Sequence, residues 1–201
     1  STSYFWCAIA SNSVGTTYGT VISFTTVAVP AVTTAAASPV TSTTATLNAT
    51  TIPNGTSATG WFRYSATNPG ACDDVFGTRT PASGGTALGS GMIGVAHSQA
   101  LSGLLPGTAY YFCALSSNSV GTGLGSVLSF TTPPMAPTTT TVAASSVSST
   151  TATLNGTANP NGAATTGWLR YAASNPGVCN DAFGTRAPAT GSTALPAGNT
   201  A

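Results

Sequence analysis

One internal repeat fixes the size of the unit into which this chain can fold. Residues 44–79 read TATLNATTIPNGTSATGWFRYSATNPGACDDVFGTR, and residues 151–186 read TATLNGTANPNGAATTGWLRYAASNPGVCNDAFGTR, at an offset of 107 positions. Residues 3–26 and 109–132 form a second matching pair, at an offset of 106. A repeat of this length is that of a single domain, so the chain is predicted to be a tandem array.

The repeat divides the chain into three parts. Residues 1–27 are predicted to be the last strands of one repeat, residues 28–133 a complete repeat, and residues 134–201 the first strands of another. Two explanations remain open. The 201 residues are either a window on a longer array or a subunit whose first part completes the last part of a neighbour by strand addition. The last and first parts together lack only the equivalent of residues 95–106.

Every local signal within the repeat predicts β-structure. Short runs alternate in polarity, and clusters of Gly, Pro and Asn separate them at regular spacing, which is typical of a β-sandwich. In GWFRYS, Phe62 and Tyr64 fall on one face, and Trp61 and Arg63 fall on the other. The joints TTVAVPAVTTAAA and TTPPMAPTTTTVAA are rich in Thr and Pro, which favours stiff, extended connectors.

At these motifs the chain resembles the fibronectin type III family, in particular its bacterial extracellular and surface-protein members. The motifs are ATLNGTANPNG, GWFRYS, LLPGTAYYF, SSNSVGTGLGS and SFTT. The resemblance implies an all-β fold of tandem seven-stranded immunoglobulin-like sandwiches. It implies that Tyr110, like its equivalent Tyr4, is the corner tyrosine of the family. The core positions that it implies are Leu47, Phe62, Tyr64, Phe112, Phe130 and Trp6.

The cysteines depart from the family, whose typical member has none. The resemblance places Cys72 and Cys113 near neighbouring strands of one sheet and so implies one intra-domain disulfide per repeat. Such a bond closes a loop of about 40 residues and contributes roughly 3–4 kcal/mol in the chain-entropy model. Two buried free thiols are the alternative. Cys7 and Cys179 are halves of a second pair, whose partners lie in a neighbouring chain or in missing parts of the parent chain.

The composition gives little support to catalysis. Charged residues make up 3% of the chain, Glu and Lys are absent, and His97 is the only histidine. We therefore predict no enzyme activity, no cofactor and no metal site, with Asp73 and Asp74 only a weak calcium candidate. A net charge of +1 gives no reason to expect a nucleic-acid partner, and no apolar run is long enough to predict a membrane span.

The acidic residues have a simpler predicted role in anchoring the long loop that carries Cys72. We expect Asp74 to pair with Arg79, with Arg63 as the second candidate partner. The equivalent residues of the later copy are Asp181, Arg186 and Arg170.

Two sets of surface residues are candidates for interactions. Trp61, Trp168 and Tyr111 are predicted to point outward, where they form an interface, stack on sugar rings, or are covered by the disulfide and its loop. Three asparagines lie in N-glycosylation sequons: Asn48, Asn54 and Asn155.

These features together predict a structural protein located outside the cell or on its surface. We expect its repeats to form a filament, a stalk or a surface layer, with copies of itself as the main partner. The alternatives are an adhesin or carbohydrate-binding array, with glycans as partners, and the spacer domains of a secreted polysaccharide-degrading enzyme.

Overall fold

The computed structural model describes residues 2–200, and every regular element among them is a β-strand. Strands form because Thr, Val and aromatic residues alternate with small polar residues, and turn-forming residues interrupt each run. The chain divides into two compact units. One unit comprises Ser1–Pro39, Ala45–Leu101 and Ala109–Phe130, and the other comprises Val40–Thr44, Ser102–Thr108 and Thr131–Ala201.

We name three parts of the chain after the repeat: the head segment (residues 2–27), the complete repeat (residues 28–133) and the tail segment (residues 134–200). The head segment contains β1 (Ser3–Trp6), β2 (Ile9–Ser11), β3 (Thr16–Tyr18) and β4 (Ile22–Thr25). The complete repeat contains β5 (Ala31–Ala35), β6 (Thr44–Ile52), β7 (Ala58–Ser65), β8 (Thr78–Thr80), β9 (Thr86–Gly89), β10 (Val95–Ser102), β11 (Ala109–Ser117), β12 (Thr122–Leu124) and β13 (Leu128–Thr131). The tail segment contains β14 (Thr138–Ser145), β15 (Thr153–Asn159), β16 (Thr165–Gly167), β17 (Leu169–Tyr171), β18 (Thr185–Ala187) and β19 (Thr193–Leu195).

The complete repeat has the two-sheet arrangement of a β-sandwich-like fold. One sheet has the order β10-β6-β5. The other has the order β12-β11-β7-β8, with β13 also paired to β11 and β9 to β7. Strands β7 and β11 run antiparallel at the centre of the second sheet and place Cys113 opposite Arg63, and Leu115 opposite Trp61.

The core of the complete repeat lies against both faces of β11. Phe112 is fully buried on one face, as are Leu47 of β6 and Phe62 of β7. Cys113 and Leu115 are fully buried on the other face, because the loop between β7 and β8 covers them. Burial of both faces explains why β11 is almost continuously apolar, instead of alternating like a strand with one face in water.

The head segment repeats the β11–β13 pairings on its own. Strand β1 pairs with β4, and β2 pairs with β3. All of their residues are exposed. The prediction that Trp6 is a core residue is therefore wrong for the described chain: its side chain is 52% exposed, whereas its equivalent Phe112 is buried by strands of the complete repeat.

The tail segment repeats the pairings of the earlier strands. Strands β14 and β15 pair as β5 and β6 do, β17 and β18 as β7 and β8 do, and β16 and β19 as β7 and β9 do. Leu154 and Leu169 are half-buried, although their equivalents Leu47 and Phe62 are fully buried. The tail segment therefore has the strand pairs of a sandwich without its closed core.

Candidate functional site

The loop between β7 and β8 is held by a disulfide in the complete repeat. Cys72 is bonded to Cys113 across 41 residues of sequence, with the two Cα atoms 6.0 Å apart. The predicted intra-domain pairing is thus confirmed for this repeat. Trp61, Cys113 and Leu115 form a buried cluster beneath the loop, and Cys72, Phe76 and Val127 pack against it.

Asp74 fixes the loop from above. Its Oδ1 atom accepts one hydrogen bond from Nε1 of Trp61 at 2.9 Å and another from Nε of Arg63 at 3.0 Å. Arg63 also donates to the carbonyl oxygens of Phe76 at 3.1 Å and Gly77 at 3.4 Å. One arginine and one carboxylate therefore tie the second half of the loop, next to β8, to β7.

The predicted ion pair between Asp74 and Arg79 is wrong, and the second candidate, Arg63, takes its place. Arg63 and Arg79 lie directly opposite each other on β7 and β8, where two like charges repel. The conflict is resolved because Arg63 turns to Asp74, whereas Arg79 lies over the Trp61 ring, 4.8 Å from its centre. Arg79 also donates to the carbonyl oxygens of Pro81 and Gly84.

Asp73 shapes the tip of the same loop. Its Oδ1 atom accepts hydrogen bonds from the backbone N–H groups of Val75 and Phe76, each at 2.8 Å. The bond from Val75, followed by that from Phe76, lowers the pKa of Asp73. Because Oδ1 of each aspartate serves these internal contacts, the described role of Asp73 and Asp74 is to shape and anchor the loop.

The tail segment builds the same cluster without a disulfide. Nε1 of Trp168 and Nε of Arg170 each donate to Oδ1 of Asp181 at 2.8 Å. These bonds, that from Arg170 first, lower the pKa of Asp181. The guanidinium of Arg186 lies 4.9 Å from the centre of the Trp168 ring. The cluster is therefore assembled by these four side chains alone.

The two remaining cysteines are free and exposed. Cys179 lies in the assembled loop of the tail segment, at the position equivalent to Cys72. Cys7 lies between β1 and β2 of the head segment, at the position equivalent to Cys113. Their predicted pairing with other chains or other parts of the parent stays a prediction.

The aromatic residues considered for an interface differ in exposure. Trp61 is only 6% exposed, because the disulfide, the loop and Arg79 cover it, so the covered alternative applies to this residue. Tyr111 is half-buried, whereas Trp168 is 42% exposed. Of these three residues only Trp168 is exposed, and the guanidinium of Arg186 lies over its ring.

The sequon asparagines use their side-chain amides to bind the backbone. Nδ2 of Asn48 donates to the carbonyl oxygen of Ala36 at 3.0 Å, Nδ2 of Asn54 donates to that of Val29 at 2.7 Å, and Nδ2 of Asn155 donates to that of Ala143 at 2.9 Å. All three residues are half-buried. The nitrogen that a glycan would occupy is thus in use in the fold, which the sequons alone did not reveal.

Groups that could support catalysis are sparse in residues 2–200. No cluster of three or more His, Cys, Asp or Glu side chains suited to a metal ion occurs among them. None of these residues belongs to a helix that is long and apolar enough to cross a membrane. His97 on β10 is 7% exposed and packs 5.3 Å from the ring of Phe62, centre to centre. It is therefore a core residue, a location that the sequence did not predict.

The chain was compared with known families, sequences and structures. No protein-family model matches it, and no curated protein sequence does so significantly. Two solved structures are similar to part of it: the long and short forms of the sensor domain of the anti-sigma factor RsgI4 from Pseudobacteroides cellulosolvens. The long form is 17% identical over 53% of this chain and 91% of its own length, with a TM-score of 0.36. The short form is 17% identical over 55% of this chain and 100% of its own length, with a TM-score of 0.37. Similarity at this level carries no inference about function.

Proposed function

We propose that this chain belongs to a non-enzymatic, extracellular structural protein built from tandem fibronectin type III-like domains. Each domain is a seven-stranded immunoglobulin-like sandwich with one disulfide, and the domains follow one another as a filament, a stalk or a surface layer. The observation that carries this proposal is that strand pairs of the complete repeat recur on either side of it with the same register. Strands β2 and β3 of the head segment pair as β11 and β12 do, whereas β14 with β15 and β17 with β18 of the tail segment pair as β5 with β6 and β7 with β8 do.

The chemistry of the surface and the core supports a mechanical role. Disulfides persist mainly in oxidising compartments outside the cytosol, which favours an extracellular location. With 3% charged residues, the surface offers little repulsion between copies, so close packing of neighbouring molecules is favoured. The disulfide limits how far a stretched domain extends, and the Pro-bearing joints limit bending.

The alternative functions receive less support. An adhesin or carbohydrate-binding array needs an accessible aromatic platform in each repeat, but Trp61 is covered in the complete repeat. For the spacer alternative, no feature of the described residues points to a catalytic domain.

Immunogold electron microscopy of the source cells tests the proposed function. Antibodies raised against residues 28–133 are expected to label filaments or a continuous layer outside the cell at regular intervals. A chemical extract of the surface should contain the same antigen in large assemblies. Label confined to the cytoplasm, or to dispersed monomers in the medium, would contradict the proposal.

A further inference from the structure

The tail segment contains an open apolar groove where the complete repeat has a closed core. The groove has a volume of about 370 Å³. It is lined by residues of β14, β15 and β17, among them Thr141, Leu154 and Leu169. In the complete repeat, the equivalents Leu47 and Phe62 are fully buried. The side chains that would close this groove are therefore those of the strand equivalent to β11.

The two strands that would pair with each other in the docked domain are interrupted at neighbouring positions. Strands β7 and β11 are continuous and pair with each other along seven residue pairs. In the head segment, the equivalent of β11 is divided into β1 and β2 at Cys7 and Ala8. In the tail segment, the equivalent of β7 is divided into β16 and β17 at Trp168. Both segments thus present unpaired backbone, which is a template for adding a strand.

The head segment already has the internal geometry of its buried counterpart. The rings of Tyr4 and Phe24 stack with their centres 5.3 Å apart and their planes at 20°. The equivalent rings of Tyr110 and Phe130 stack at 5.6 Å and 21°. A hairpin organised in this way loses little conformational freedom on docking, which favours binding.

One hydrogen bond of the complete repeat identifies a further pair of complementary groups. The backbone N–H of Ala114 donates to Oγ1 of Thr34 at 3.1 Å, between β11 and β5. A β-carbon on Gly125 would collide with that hydroxyl. In the head segment, Ala8 is equivalent to Ala114 and Gly19 to Gly125. In the tail segment, Thr141 is equivalent to Thr34 and lines the groove.

From these observations we propose that the head segment of one copy docks on the tail segment of a second copy as β11–β13 dock on β5 and β7, and that Cys7 and Cys179 then form an intermolecular disulfide. This inference rests on the proposed array of sandwich domains and names its partner, a second copy of the chain. The docked register places Cys7 opposite Arg170 and Ile9 opposite Trp168, by equivalence with the complete repeat.

The loop of the tail segment is prepared for this bond. Asp181, Arg170 and Arg186 hold it as Asp74, Arg63 and Arg79 hold the bonded loop. Docking supplies the second thiol, and a small disulfide oxidant such as oxidised glutathione accepts the electrons. Two cysteine thiols and one oxidant disulfide then yield the protein disulfide and two small-molecule thiols by thiol–disulfide exchange.

The docked domain differs from the complete repeat in two places. Neither segment supplies the equivalent of β10, which lies at the edge of its sheet and not at its centre. Gly123 lies against the carbonyl of Pro30 with no room for a β-carbon, and Thr17 occupies the equivalent position. The end of β3 must therefore lie farther from the start of β14 than β12 lies from β5.

Complementary variants that each lack one of the two exposed cysteines test the docking directly. The Cys7→Ser and Cys179→Ser variants of the 201-residue chain are each mildly reduced, so that the Cys72–Cys113 bond is kept, and are then incubated alone or mixed in a glutathione redox buffer. We expect a species of twice the 19.6-kDa chain mass in the mixture, at least about tenfold more abundant than in either variant alone. Dimers of the separate variants in equal yield would overturn the proposal, because exposed thiols would then pair without docking. Oxidation of the wild-type chain to a monomer without free thiols would overturn it as well.

A substitution that leaves the two reacting thiols in place, Cys7 on one chain and Cys179 on the other, separates docking from thiol chemistry. Gly19→Ala, made in the Cys179→Ser chain, adds a β-carbon where Thr141 is expected to dock, and we expect about tenfold less cross-linked dimer with Cys7→Ser. Thr20→Ala in the same chain is the matched control, since Thr20 and its equivalent Ser126 are both exposed. Equal cross-linking by the Gly19→Ala and Thr20→Ala variants would contradict the proposed docking register.

Failure of this inference is distinguishable from failure of the proposed function. If the mixed variants cross-link no more than each variant does alone, yet antibodies label filaments on the source cells, the structural role stands and the docking is refuted. If the variants cross-link as expected but the antigen is intracellular, the docking stands and the structural role is refuted.

Discussion

The guanidinium of Arg79 covers the ring of Trp61, with its carbon 4.8 Å from the ring centre. Arg79 also donates hydrogen bonds to the carbonyl oxygens of Pro81 and Gly84, so a single side chain joins β7 to the turn that follows β8. A planar guanidinium satisfies these contacts together, which an ammonium group cannot do in the same way.

We therefore expect Arg79→Lys to destabilise the complete repeat by about 1–2 kcal/mol, through loss of the stacked contact and of one carbonyl partner. Chemical denaturation followed by circular dichroism measures the change. Arg186→Lys is the matched control, because the same contact in the tail segment lies outside the complete repeat. An equal effect of the two substitutions would contradict the prediction that the contacts of Arg79 stabilise the complete repeat.

A second prediction concerns the two adjacent aspartates of the loop. Asp74→Ala leaves Nε1 of Trp61 and Nε of the largely buried Arg63 without their acceptor. We expect a loss of roughly 1–3 kcal/mol in the free energy of unfolding, measured by denaturant titration at pH 7.

Asp73→Asn is the control that the chain itself provides. Asn180, at the equivalent position of the tail segment, accepts the same two backbone hydrogen bonds, from Ala182 at 2.8 Å and Phe183 at 3.1 Å. The substitution should leave stability at pH 7 nearly unchanged. If Asp73→Asn were as harmful as Asp74→Ala, the loop would depend on its charge and not on these specific bonds.

The alternating pattern of the sequence predicted the strand class, and the resemblance to a sandwich family predicted the Cys72–Cys113 bond, because the order of strands places these cysteines near each other. The sequence did not predict which arginine pairs with Asp74. Arg63 and Arg79 are cross-strand neighbours, so their distances from the loop are similar and only side-chain packing decides. It also placed Cys113 on an outward face without showing that the loop buries that face completely.

The burial of His97 was not predictable, because a lone histidine on an alternating strand carries no signal of its depth. Its consequence is a pH dependence of stability. Burial is the main cause that lowers the pKa of His97, and the nearby polar backbone of Val95 opposes this effect to a smaller extent. The unfolded chain therefore binds a proton more readily than the folded one. Stability is complete above the unfolded pKa of about 6.5 and falls as the pH decreases from there towards the folded pKa.

Denaturant titrations at several pH values between 5 and 8 test this dependence. His97 is the only histidine of the chain, so replacing it shows how much of the slope comes from this residue. We expect His97→Gln to abolish the slope whatever its effect on stability at pH 8. If the slope persists in this variant, His97 is not the source of the pH dependence of stability.

The last prediction concerns the disulfide under load. When the complete repeat unfolds under force, the residues between Cys72 and Cys113 cannot extend while the bond is intact. With 41 positions between the cysteines and about 3.6 Å per extended residue, the bond withholds roughly 150 Å of chain length. Single-molecule stretching of the full chain between terminal handles should show this difference between oxidised and reduced samples. Cys72→Ser/Cys113→Ser should give the longer extension under both conditions, as the matched control. Equal lengths for the oxidised and reduced wild-type chain would mean that the bond does not limit extension, and the mechanical role proposed for it would fail.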